Sequence, residues 1–165
     1  MTPYRLRVDA LSMFAKRQPC SLIMKNVFTI AFDLGGVVFS CDNDIFCNRY
    51  LETELTPGIY DVLMHLSRLD LKLIVISKAF PNNAKKSKEI LKLYGLDDVF
   101  NSIIFCEKNE AKADIAKAMG VNVMIDDKME VLDRFDSSIK TIHFHPGRVN
   151  ELYDIHRHCH PRQDM

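Results

Sequence analysis

Short apolar runs alternate with amphipathic stretches along the middle of the chain. Val27 to Phe32 reads VFTIAF and is closed by Asp33 and the Gly35-Gly36 pair. This predicts a fully buried strand followed by a tight loop. Residues 38–57 show no clear period and end in Thr56-Pro57-Gly58. Ile59, Val62, Leu63, Leu66 and Leu69 then fall on one helical face. A second apolar run, Leu71 to Ile76, is stopped by Ser77. Asn82 or Asn83 can cap a helix carrying Ile90, Leu91 and Tyr94, with Gly95 as its stop. A third strand is expected over Ser102 to Cys106, then a helix over 109–119 with Ala111, Ile115, Ala118 and Met119 inward. The fourth strand, Val121 to Ile125, ends at Asp126-Asp127. A helix over 129–135 and a fifth strand, Ile139 to Phe144, complete the alternation.

Strand and helix in strict alternation predict an α/β fold, a parallel sheet covered by helices on both faces. Residues 27–147 are read as one domain, preceded by an extension over 1–26 and followed by a tail over 148–165 that is expected to form a short helix and then fray. The length of 165 residues agrees with one domain. An apolar content of 47% and a charged content of 27% argue against disorder. No apolar run approaches the ~20 residues of a membrane helix.

Charge changes the picture only locally. Lys plus Arg and Asp plus Glu both number 22, which gives no electrostatic case for nucleic acid or an anionic membrane. Residues 1–26, however, hold Arg5, Arg7, Lys16, Arg17 and Lys25 against Asp9 alone. That basic stretch is read as a leader outside the chemistry, with organellar targeting as the alternative. Met24 offers an alternative start. Five cysteines without a CxxC pair suit a reduced, cytoplasmic setting.

Candidate chemistry gathers at the strand ends. In an open parallel sheet, ligands bind beyond the carboxyl ends of the strands. There the chain places Asp33, Ser77, Lys108, Lys112, Asp126 and Asp127. Half-buried carboxylates that meet in one crevice need a partner, and Mg²⁺, a hard ion, accepts such oxygens. A lysine and a hydroxyl suit a phosphate.

The motifs FTIAFDLGGVV (28–38), LIVIS (73–77) and VMIDD (123–127), with Lys112 between the last two, resemble the haloacid dehalogenase-like superfamily. The resemblance implies a three-layer α/β/α, Rossmann-like sheet of order 5-4-1-2-3. It implies a Mg²⁺-dependent phosphohydrolase in which Asp33 is the nucleophile and forms an aspartyl-phosphate. Asp33, the backbone carbonyl of Gly35, Asp126 and Asp127 would hold the ion. Ser77 would bind the phosphoryl group, and Lys112 would neutralise charge, with Lys108 as the alternative. The sheet order would set Asp33 beside Asp126, their carboxylates within about 6 Å, close enough to share the ion.

Two departures qualify that expectation. Related phosphatases carry a second Asp two residues after the nucleophile as general acid, where this chain has Gly35. A general acid is typically worth about 10²–10⁴ in rate. Asp42 or Asp44 could replace it, the leaving group could need no proton, or the protein could be a catalytically weak module binding a phosphate or a partner. Secondly, residues 38–57 are too few for a cap domain. A capless or minimal-cap site is expected, open to phosphorylated small molecules or macromolecules, in a monomer or dimer. A two-component receiver is excluded because its acid pair follows the first strand. A dinucleotide fold is excluded because GxGxxG is missing. The HRHCH run, 156–160, is read as a solvated tail, with transition-metal binding as the alternative.

Overall fold

A computed structural model describes residues 26–40 and 48–158. Five parallel strands make one sheet: β1 (Phe28–Phe32), β2 (Leu71–Lys78), β3 (Ser102–Cys106), β4 (Val123–Asp126) and β5 (Lys140–His143). Their order is β3-β2-β1-β4-β5, the expected order read from the opposite edge. The apolar runs are short and continuous because both faces of the sheet are covered. Phe28, Ile30 and Phe32 of β1, Leu73 and Val75 of β2, and Val123 and Ile125 of β4 point into one core. Ala31, Ile74, Ile76 and Met124 point into the other. Period-two alternation thus divides each run between two hydrophobic layers.

The first and larger core is closed by α1 (Ile59–Leu66) and α2 (Pro81–Leu93). Ile59, Val62, Leu63 and Leu66 form the buried stripe of α1, as their spacing requires. Leu69 lies beyond the end of the helix and packs at the margin of this core. α2 begins at Pro81 with Phe80 as its N-cap, not at Asn82 or Asn83. Proline suits the first helical position because the missing N–H would have had no helical partner there. Gly95 then ends the segment with φ +68°, the left-handed conformation glycine adopts without strain.

The second core receives α3 (Ala111–Ala118) and α4 (Met129–Leu132). The face of α3 differs from the expected one. Lys112 and Ala116 are its buried residues, Ile115 is half-buried, and Ala118 and Met119 are exposed. The ion pairs of Lys112 described below orient this helix at the expense of burying Met119. Beyond β5, a 3₁₀-type segment, Pro146–His158, is interrupted at Arg148. It lies against α1 and buries Val149, Leu152 and Ile155 in the larger core. Among the described residues no helix is long and apolar enough to cross a membrane.

The chain leaves β1 through a tight turn in which Val37, Val38 and Phe39 all donate backbone N–H bonds to the Leu34 carbonyl. Phe39 bridges antiparallel to Leu55, and the Ser40 N–H donates to the Glu54 carbonyl. The excursion between β1 and α1 therefore returns on itself beside the sheet. Connections from β1 and β4 depart over opposite faces, so the crevice between these strands is the switch point where ligands bind in such sheets.

Candidate active site

Asp33 follows β1 directly, and its N–H donates to the Ile125 carbonyl at 2.9 Å, which locks it beside the end of β4. Asp126 is the last residue of β4 and is fully buried. Its Oδ1 accepts the Lys128 backbone N–H at 2.9 Å. One oxygen from each of Asp33, Asp126 and Asp127 lies within 4.8 Å of the others. The three acids, far apart in the chain, thus meet at one point, and Asp33 and Asp126 lie within the separation expected from the sequence.

Lys112 enters this cluster from α3. Its Nζ stands 2.7 Å from Asp126 Oδ2 and 3.2 Å from Asp33 Oδ1, and its side chain is 1% exposed. Burial alone favours the neutral amine, but the charges of Asp33 and Asp126 outweigh it and raise the lysine pKa above its ordinary value. Lys112 is therefore a fixed ammonium at neutral pH. Lys108, one helical turn earlier, is exposed. Burial pushes the Asp33 carboxyl up to about 6. Lys112 opposes that rise, Asp126 adds to it, and a hydrogen bond from Ser77 opposes it. Ser77 lies near the end of β2, is buried, and shares the cleft with Asp33.

Gly36 explains how Asp127 comes so close. Its φ of +74° is left-handed, and a Cβ there would meet Asp127 Oδ2 at 2.2 Å. Gly36→Ala is expected to destabilise the fold by about 1–3 kcal/mol through backbone strain and to displace Asp127 as well. Thermal unfolding with and without Mg²⁺ checks this: the wild type should gain more from the ion than the variant does. An equal gain in both would show that Asp127 had kept its place.

The cleft above the cluster has a volume of ≈ 180 Å³. Asp33, Gly35, Ser77 and Lys112 are among its walls, and Lys78, Phe80, Asn83, Asn109 and Lys128 are others. This second group was missed by the sequence reading. Lys78 and Lys128 each directly follow a strand-end residue that was singled out, and that adjacency was the available signal. Asp42 and Asp44, the sequence candidates for a general acid, lie outside the described residues, as do Cys159 and His160 of the HRHCH run.

The acids offer a hard, anionic oxygen set, and the space left by the missing Gly36 side chain brings the third acid into it. That donor chemistry fits Mg²⁺.

No family model matches the chain, and none of the curated proteins does. Several solved structures share its fold at low sequence identity. A hydrolase from Streptococcus pneumoniae TIGR4 is 12% identical over 79% of this chain and 100% of its own, with a TM-score of 0.59. A chain of the Pnkp1/Rnl/Hen1 RNA repair complex is 15% identical over 73% of this chain, with a TM-score of 0.56. This protein spans only 43% of that chain's length. A protein from Listeria monocytogenes serotype 4b is 12% identical over 78% of this chain and 100% of its own, with a TM-score of 0.51. With the strand order β3-β2-β1-β4-β5 and the acids at the ends of β1 and β4, these neighbours identify the architecture as the haloacid dehalogenase-like fold.

Proposed function

We propose that the protein is a Mg²⁺-dependent phosphohydrolase acting through an aspartyl-phosphate on Asp33. The observation that carries this reading is the convergence of Asp33, Asp126 and Asp127 within 4.8 Å, with the Lys112 ammonium bonded to the first two. Phosphoryl transfer requires positioning and charge neutralisation, and these groups supply both. The Asp33 carboxylate attacks phosphorus, since burial leaves it a nucleophile that is ionised at neutral pH yet poorly solvated. Lys112 offsets negative charge on the phosphoryl oxygens while holding Asp33 in place. Ser77, whose hydroxyl hydrogen-bonds Asp33, would donate to the phosphoryl group in the same cleft. Asp33, Asp126, Asp127 and the Gly35 carbonyl would hold Mg²⁺, which when bound supplies further positive charge to the transferring group.

The open cleft suits a phosphorylated small molecule or an exposed phosphate on a macromolecule, in a cytoplasmic monomer or dimer. The hydrolase from Streptococcus pneumoniae, which has the same fold, supports hydrolysis as the reaction class. The test is phosphate release from a panel of phosphate esters and acetyl phosphate in Mg²⁺. Chelation with EDTA should lower turnover by roughly 100-fold or more, and added Mg²⁺ should restore it. A second reading, a phosphate-binding module without turnover, is favoured by Gly35, which provides no proton donor. Mg²⁺ binding without turnover of any panel member would select it.

A further inference from the structure

One face of α2 forms part of the cleft wall. Phe80, Asn83 and Ser87 recur at helical spacing and all line the cleft that holds Asp33. Ser87 is only 2% exposed, and it borders the cleft. Among the described residues none hydrogen-bonds its hydroxyl. A buried hydroxyl without a protein partner is costly, so in a native fold it marks the place of a ligand group or a water. Asn83 stands one turn nearer the start of the helix, and its amide can donate beside that hydroxyl.

The start of α2 adds an electrostatic preference. The helix runs for 13 residues, has no acid in its first turn and has no side-chain cap, because Phe80 at the N-cap carries no side-chain oxygen. The Ala84 N–H donates to the Phe80 carbonyl at 2.8 Å, whereas the N–H groups of Asn82 and Asn83 lie ahead of that first helical bond. Such a terminus carries partial positive charge and favours an anion. Lys78, in the same wall, adds a full positive charge. Lys112 is already held between Asp126 and Asp33. The Lys78 ammonium, the N–H groups, the Asn83 amide and the Ser87 hydroxyl are all donors, and an oxyanion is the acceptor they have in common. A sugar hydroxyl would also need acceptors, which a lysine and backbone N–H groups do not provide.

We propose that this face of α2 is a second anion subsite, and that the substrate is a phosphate monoester whose leaving group carries another oxyanion; this rests on the phosphohydrolase reading above. The scissile phosphate lies at Asp33. The second oxyanion is held by Lys78, the first-turn N–H groups, Asn83 and Ser87. Lys78 and Ser87 are thus specificity-determining residues, which select the ester that binds and take no part in the bond that breaks. A carboxylate and a second phosphate share this chemistry.

The test uses the full chain in Mg²⁺ and reads binding apart from turnover. Calorimetric titration compares propylphosphonate with phosphonopropionate and propane bisphosphonate, which add a carboxylate or a second phosphonate to a similar carbon chain. At least one of the latter two should bind about tenfold or more tightly than propylphosphonate, the usual worth of hydrogen bonds to a charged group, and their ratio identifies the second group. Ser87→Ala should shrink that excess about three- to tenfold, and Lys78→Met by a similar factor. Lys85→Met changes an exposed lysine of the same helix outside the cleft wall and should leave the excess intact. A smaller excess, one that survives undiminished in either cleft variant, or an equal loss in Lys85→Met would overturn the proposal. Hydrolysis of acetyl phosphate under the same conditions reports separately on the phosphohydrolase reading. Turnover without the excess overturns the subsite alone. The excess without turnover keeps the subsite, with its ligand bound and not cleaved, and overturns the phosphohydrolase reading.

Discussion

Lys112→Met is expected to destabilise the protein by about 3–5 kcal/mol and to remove phosphate-ester turnover at the same time. Methionine preserves most of the side-chain volume, so the loss reports charge and not packing. In the native fold the ammonium is buried between Asp126 at 2.7 Å and Asp33 at 3.2 Å. Its removal leaves two buried carboxylates whose oxygens lie within 4.8 Å and which no longer have that counter-ion. Uncompensated charge in such a setting is far more costly than a missing surface pair. Protonation of one acid relieves it, so the deficit should shrink as the pH is lowered. Urea unfolding at pH 7 and at pH 5, in chelator, measures both effects. Lys108→Met is the control: its side chain is exposed, and the change should stay within about 0.5 kcal/mol. A Lys112→Met variant as stable as this control would mean that the acids do not depend on the lysine.

The same lysine marks the limit of what the sequence discloses. Apolar runs such as FTIAF and VMID are legible as strands because a parallel sheet buries both of their faces, leaving no polar alternation to confuse the reading. Acids at the ends of such runs are legible for the complementary reason, that charge interrupts burial abruptly. Helix faces are harder. Hydrophobic spacing on 109–119 favours Ala111, Ile115, Ala118 and Met119 inward, whereas the fold buries Lys112 and Ala116. Local pattern carries no information about two carboxylates waiting on other strands. Lys108 and Lys112 are one turn apart; the start of the helix leading to the Asp126 strand favours Lys112 from sequence, and in the fold Lys112 is buried against the acids while Lys108 is exposed. Asn83 and Asn109 read as helix-start residues because asparagine is favoured there, and only the tertiary arrangement places them at the cleft. Val149, Leu152 and Ile155 are three apolar residues in an otherwise polar segment, too few to announce that this stretch packs on α1.

Asp33→Asn should separate catalysis from stability, which Lys112→Met cannot do. Asparagine keeps the shape of the side chain but is no nucleophile, so turnover of every phosphate should fall by on the order of 10⁴-fold or more. The fold should not suffer with it. Burial raises the Asp33 pKa from 3.8 to about 6, so the native state holds a proton that the unfolded chain has already lost between those values. With fewer protons on the unfolded state, stability must fall as pH rises through that window and level off above it. The shift corresponds to about 3 kcal/mol in metal-free protein. In the asparagine variant that slope disappears, because the titrating group is gone, and Asp126 still pairs with Lys112. Urea midpoints in chelator from pH 4 to pH 7 measure the slope, and phosphate release in Mg²⁺ measures the rate. Retained turnover in the variant would assign the nucleophile elsewhere. An unchanged slope would show that another group titrates in that window, and that the buried carboxyl at the end of β1 is not what limits the metal-free fold.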